Sequence, residues 1–196
     1  MKCRKIMCIS LLIVAMLFSV LSELNVTIAE ASPASVNLNV TRYRQLKTKW
    51  CWAAAAQMIG CFLGGNKTQA QICKKVKGSS TINEDASFSE VVSAIKYAVG
   101  KNYSCKRTAV LPYGEFQTLL GDLEVPQAIR MQTLDIYGNF VGGHILVVEG
   151  YTKYRELKVI DPKNNGGKSD YNYVQLINGI TTETGSWFYS DTFMVD

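Results

Sequence analysis

Two hydrophobic rhythms divide the chain: helical spacing in the first half, strand-like alternation and short apolar runs in the second. Cys51 to about Leu63 is rich in Ala, Met and Gln and stops at Gly64-Gly65. Ala53 to Ala56 allow close packing all round, so this helix is expected to be buried. Thr68 to Val76 reads as a shorter helix ending at Gly78. Ser87-Phe88-Ser89-Glu90 has the pattern of a capping box and opens a third helix through Val91, Val92, Ala94, Ile95 and Ala98, closed by Gly100. Pro112 to Leu120 allows a short fourth. Gln127 to Thr133, Gly143 to Tyr151 and Glu156 to Ile160 read as strands, as do Tyr171 to Ile177 and Trp187 to Val195. Helices first and strands after predict an α+β fold with an antiparallel sheet, not alternating βαβ units.

The N-terminus follows a different logic. Lys2, Arg4 and Lys5 precede an apolar run from Ile6 to Leu21, and small residues follow around Ala29-Glu30-Ala31-Ser32 and Pro33-Ala34. That is the layout of a secretory signal over residues 1–31, with an uncleaved anchor as the alternative for a run of borderline spanning length. Cys8, after Lys5-Ile6-Met7, lacks the setting of a lipid-attachment cysteine. Export to a secreted or cell-surface location is therefore expected. Residues 32–42 read as an extended surface arm and residues 43–196 as one domain, large enough for a substantial core.

Composition narrows the classes further. Losing Lys2, Arg4, Lys5, Glu23 and Glu30 with the signal takes the formal charge from +5 to about +4. The basic residues are scattered, without the aromatic interleaving of a nucleic-acid surface, so no nucleic-acid partner is expected. Cys51, Cys61, Cys73 and Cys105 remain, an even number that permits two disulfides in an exported chain, or at most one if Cys51 stays reduced. A single His and no Cys-x-x-Cys pair argue against a metal site.

That single His is the chemical clue. His144 stands in Gly142-Gly143-His144-Ile145-Leu146-Val147-Val148-Glu149-Gly150-Tyr151, at the start of the apolar run. Cys51 lies at the head of the buried helix, in Gln45-Leu46-Lys47-Thr48-Lys49-Trp50-Cys51-Trp52, where the unpaired N–H groups and dipole of a helix start favour thiolate. Asp161 ends the next strand, and a hairpin between the two strands returns it to the end where His144 stands. A thiol, an imidazole and an orienting carboxylate are the parts of a cysteine nucleophile. Gln45, on the loop feeding the helix, can offer an amide to a developing oxyanion beside the Cys51 N–H. Loops from Asn83 to Ala86 and Asp135 to Val141 are the expected cleft walls.

The pattern resembles the papain-like cysteine peptidases. It shares the Gln before a Cys-Trp at the head of a central helix, the His opening an apolar strand that ends in Gly150-Tyr151, and the carboxylate one strand later. It is most similar to compact bacterial members, of the bacteriocin-processing and papain-like effector types, in the Trp-Cys-Trp-Ala-Ala block and the Asp161-Pro162 ending. The resemblance spans about Val40 to Asp196, essentially the whole mature chain. The Cys-Gly-Ser-Cys-Trp signature of plant and lysosomal members is absent, Cys51 and His144 are closer together than in those enzymes, and Asp stands in place of Asn. The resemblance implies a papain-like fold and a cysteine endopeptidase with catalytic Cys51, His144 and Asp161 and oxyanion-hole Gln45. Trp52 and Trp187 are expected in supporting places, Trp187 shielding the His–carboxylate bond. It further implies a monomer acting on a peptide or protein, without cofactor or metal. The alternatives are an acyltransferase, deamidase or isopeptidase on the same dyad, or a non-catalytic binding module of the same fold. The sequons at Asn39, Asn66 and Asn102 are read as chance in a bacterial chain.

Overall fold

From Cys51 to Phe62 the sequence offers water almost no polar face, and helix α1 forms over that span with Trp52 to Ala56, Met58, Ile59 and Gly60 buried. The computed structural model describes residues 32–183 and 185–196; the signal segment expected over residues 1–31 lies outside the described residues. Helix α2 (Gln69–Lys77) and helix α3 (Phe88–Val99) each begin with a complete capping box, Thr68 with Gln71 and Ser87 with Glu90. These bonds satisfy orphan N–H groups that a helix start otherwise leaves to water. Helix α1 has no such side-chain cap: Trp50 occupies the cap position without a side-chain bond. Gly60 lets α1 lie directly on α3, since a Cβ there would come within 2.7 Å of the Ala98 Cβ.

Among the described residues the eight strands are β1 (Val36–Asn37), β2 (Cys105–Thr108), β3 (Gln127–Leu134), β4 (Phe140–Tyr151), β5 (Glu156–Ile160), β6 (Lys168–Asn172), β7 (Ile180–Thr182) and β8 (Gly185–Val195). They form one sheet in the order β2-β8-β3-β4-β5-β6, with β1 beside β4 and β7 beside β8. Every pairing among the described residues is antiparallel. The expected α+β architecture is thus present.

Both faces of the sheet are covered, which is why its central strands read as continuous apolar runs. Ile145 and Val147 of β4 and Phe193 and Val195 of β8 enter a core shared with α1 to α3. Their strand neighbours Leu146, Val148 and Met194 enter a second core with Phe116, Leu119 and Leu120. These last come from helix α4 (Tyr113–Gln117) and the π-helical turn Thr118–Asp122 that continues it, where one short helix was expected.

Two expectations are corrected. Tyr171 to Ile177 is not a strand: β6 ends at Asn172, whose side chain accepts from the N–H groups of Val174 and Gln175 and starts helix α5 (Tyr173–Asn178). Strand β4 begins at Phe140, so His144 lies inside the strand, immediately before its fully buried part begins at Ile145. Within the arm, Val36 and Asn37 pair with Tyr151 and Gly150.

Candidate active site

Helix α1 carries Cys51 as its first residue, and Trp50 and Trp52 fix where that helix starts. Their indole N–H groups donate to the carbonyls of Ile82 (2.8 Å) and Glu84 (3.2 Å), tying the loop before α3 to the Cys51 segment. Asn83 holds the same junction, accepting from the Lys49 N–H and donating to the Thr48 hydroxyl. Trp52 is therefore a buried structural anchor. The uncapped helix start leaves backbone N–H groups near Cys51 for other partners.

His144 and Asp161 meet as the hairpin argument requires: β4 and β5 are antiparallel, with Val147 opposite Ile160. His144 Nε2 lies 2.6 Å from Asp161 Oδ1. An ionised carboxylate only accepts, so Nε2 carries the hydrogen and Nδ1 is left for Cys51. Burial opposes a charge on the imidazole, but the bonds to Asp161 and Cys51 and the negative charge of both outweigh it and hold its pKa above the ordinary histidine value. Burial likewise pushes the Asp161 carboxyl upward. The bond to His144, the imidazolium charge and the Lys163 N–H overcome that and hold it below the usual range.

The carboxylate is gripped by its own turn. The Lys163 N–H donates to Asp161 Oδ1 at 2.8 Å, and the Asp161 N–H donates to the Gly167 carbonyl at 2.8 Å. Arg42 reaches across from the arm: its Nε donates to the Asp161 carbonyl at 2.8 Å and its Nη2 to that of Lys163. The Gln45 N–H adds a bond to the Pro162 carbonyl at 2.8 Å. The loop that delivers Cys51 and the turn that delivers Asp161 are thus stitched together.

Gln45 sits in that loop with its side chain directed inward. Its Nε2 donates to the carbonyls of Lys47 (2.9 Å) and Thr48 (2.7 Å), and its Oε1 is buried without a partner. Both amide hydrogens are thereby engaged by the loop, so donation to an oxyanion requires one carbonyl to be exchanged.

Two cavities flank the imidazole strand, because successive β4 residues face opposite ways. One, of about 270 Å³, is lined by His144, Asp161, Tyr171 and Trp187, with Trp187 edge-on to Tyr171 at 5.4 Å. The other, of about 640 Å³, is lined by Cys51, Trp52, Asp85, Ala86, Phe140 and Val141 among others, so both expected wall loops contribute to it. The four described cysteines are free. Burial pushes the Cys105 thiol up to about 12 and raises that of Cys73, which leaves both poor nucleophiles. No cluster of three or more potential metal ligands occurs among the described residues.

Residues 37–189 match the Peptidase C39 like family. The chain belongs to that family. Its fold is similar to that of a C39-like peptidase from Bacillus anthracis, at 11% identity and a TM-score of 0.55, covering 83% of this chain and 98% of the other. The interpain A cysteine protease of Prevotella intermedia gives 13%, 0.53, 82% and 94% for the same quantities. The peptidase domain of Streptococcus ComA, a bifunctional ABC transporter of a quorum-sensing pathway, gives 14%, 0.51, 78% and 95%. No curated protein matches the sequence significantly. At such identities the structural likenesses establish the papain-like fold, and the family match establishes a cysteine-peptidase lineage.

Sequence reasoning missed two residues of this C39-like site, Arg42 and Gly166. Arg42 looks like any surface cation on the arm. Gly166, next to Gly167 in the turn after Asp161-Pro162, carried the usual glycine signal of a close backbone approach, and its neighbour there is the Asp161 side chain.

Proposed function

We propose that the protein is an exported thiol endopeptidase with Cys51 as nucleophile, His144 as acid and base, and Asp161 as the group that orients the imidazole. The observation that carries this is the 2.6 Å bond from His144 Nε2 to Asp161, with Cys51 beside the same ring. The Cys51 thiolate attacks a peptide carbonyl, and the new S–C bond pushes the electron pair onto the oxygen. The Cys51 N–H at the uncapped helix start stabilises that oxygen, joined by Gln45 once its amide exchanges a loop carbonyl for the oxyanion. As the tetrahedral centre collapses, the C–N bond breaks and the imidazolium gives its proton to the leaving amine. His144 then takes a proton from water, whose oxygen attacks the thioester and releases the acid and the thiolate. Trp187 shares the cavity of His144 and Asp161 and, in this scheme, keeps water from their bond. The N-terminal charged and apolar segments support delivery outside the cytoplasm.

The test is labelling by an epoxide-type thiol-protease inhibitor, beside Cys51→Ala and His144→Ala. Fast single-site labelling near neutral pH is expected, absent in the first variant and slowed in the second. A Cys51 no more reactive than an ordinary thiol would leave a fold without the chemistry.

A further inference from the structure

The cavity beside Cys51 contains a cation that the hydrolysis does not use. Arg130 of β3 lines it together with Cys51, Phe88, Phe140 and Gly143. Its side chain is only 16% exposed, and its guanidinium carbon sits 5.3 Å from the ring centres of both Phe88 and Phe140. One corner of the group is committed: Nη1 contacts Gln132 Oε1 (3.3 Å), the Ser190 hydroxyl (3.1 Å) and Asp191 Oδ2 (3.6 Å). The other edge, Nε and Nη2, makes no hydrogen bond among the described residues. It lies against Gly143, where a Cβ would come within 2.8 Å of both nitrogens. Gly143 and Cys51 line the same cavity, so this edge lies on the cavity that holds the nucleophile, while His144 and Asp161 line the other.

The charges do not balance. Asp191, itself 8% exposed, already accepts from Arg107 Nε at 2.8 Å and Nη2 at 2.6 Å, so two guanidinium groups share one carboxylate. Lys49 and Asp85, at the rim, pair with each other at 3.2 Å and cancel. The short bonds of Asp191 go to Arg107, whose side chain is 47% exposed and lies outside the cavity lining. Arg130 therefore keeps only a 3.6 Å contact with a carboxylate, within walls made by Phe88, Val91, Phe140, Ile145 and Phe193. Burying a cation without full compensation is costly, and the parallel N–H pair of an arginine edge matches a carboxylate. The two aromatic rings fix the plane of the fork, so little conformational freedom is lost when it is engaged.

We propose that this cavity is a specificity subsite for an acidic side chain, and that the peptidase cuts peptides carrying Asp or Glu a residue or a few from the scissile bond. The proposal rests on the peptidase assignment above. The test begins with a proteome-derived peptide library digested by the wild-type enzyme, its cleavage sites read by mass spectrometry. Peptide pairs differing only in Glu against Gln at the enriched position follow. Asp and Glu are expected to be enriched at one position, and the Glu peptide to exceed the Gln peptide in kcat/KM by roughly ten- to a hundredfold, the range of a charge-assisted hydrogen bond. In Arg130→Gln that ratio falls to about one. Should that variant not fold, Arg130→Lys, which keeps the charge but not the planar fork, is expected to give an intermediate ratio. Cleavage without acid enrichment, or a wild-type ratio retained in either folded variant, overturns the subsite and leaves the peptidase standing. Failure to cut any peptide together with failure of Cys51 to label overturns the peptidase and the subsite with it.

Discussion

Replacing Gly166 by alanine tests whether the active site depends on how its carboxylate is held. An added Cβ would meet Asp161 Cγ at 2.6 Å, Cβ at 2.8 Å and the carbonyl oxygen at 2.9 Å. Ordinary contact begins near 3.4 Å, so the separation must open by roughly 0.8 Å. Three atoms of one residue collide at once, so no single side-chain rotation relieves the overlap. If the carboxylate recedes, the 2.6 Å bond to His144 stretches to about 3.4 Å, beyond the range of a charge-assisted bond. Swinging the turn outward instead moves the Lys163 N–H and the Gly167 carbonyl, the two anchors of Asp161 within it. Either way Asp161 moves. A hydrogen bond to a charged group is worth about 1.5–3 kcal/mol, so kcat/KM should fall by roughly ten- to 150-fold. Overpacking adds a loss of about 1–3 kcal/mol in stability, a few degrees of Tm for a chain of this size. The assay is kcat/KM on a cleaved peptide, the epoxide labelling rate and thermal unfolding by circular dichroism. Gly167→Ala is the control, because a Cβ there meets nothing within 4 Å. A folded Gly166→Ala protein with wild-type kcat/KM and labelling would refute the view that this turn sets the imidazole.

Arg42→Ala removes the bonds to the Asp161 and Lys163 carbonyls; kcat is expected to fall about tenfold with little change in KM, checked by steady-state kinetics beside the labelling rate. Gln45→Ala is expected to lower kcat by roughly a hundredfold or more if its amide reaches the oxyanion, whereas a purely loop-holding role would appear in Tm with kcat nearly intact. Asp161→Ala removes a partner that raises the imidazole pKa, so the alkaline limb of the labelling profile should move down in pH; an unmoved limb would detach Asp161 from His144. The same pair has a stability signature. The raised value of His144 gives stability that is present below its ordinary 6.5 and lost as pH rises through the folded value. The lowered value of Asp161 gives stability present above its ordinary 3.8 and lost as pH falls through the folded value. The gap between wild type and Asp161→Ala in denaturant unfolding should therefore be widest between pH 3.8 and 6.5 and narrow on either side.

What the sequence disclosed was what neighbouring residues decide. The capping boxes of α2 and α3 were readable because Thr68 and Ser87 need only a partner three positions on. The misread stretch after Tyr171 fails for the complementary reason. Tyr171, Tyr173, Gln175 and Ile177 alternate like a strand, yet the buried pair in the helix is Tyr173 and Leu176, one helical turn apart. Asn172, a capping residue at the break, was the available signal and is as common in turns.

Cys51, His144 and Asp161 were legible for a different reason: Cys51 opens a helix, Asp161 follows the end of a strand, His144 directly precedes the fully buried run of its strand, and a hairpin alone dictates that the last two meet. Arg42 and Arg130 have no such mark. Arg42 acts on a carbonyl 119 positions away, and the Arg130 environment draws on β3, β4, β8 and the start of α3, which only the folded sheet brings together. Their roles also differ in kind. Arg42 ties a loop to a turn through backbone carbonyls, so its effect passes to the reaction through Asp161. Arg130 presents an unused edge to an open cavity, so its effect would be felt by the substrate directly. The kinetics should separate the two: loss of Arg42 should slow every peptide alike, and loss of Arg130 should change which peptide is cut.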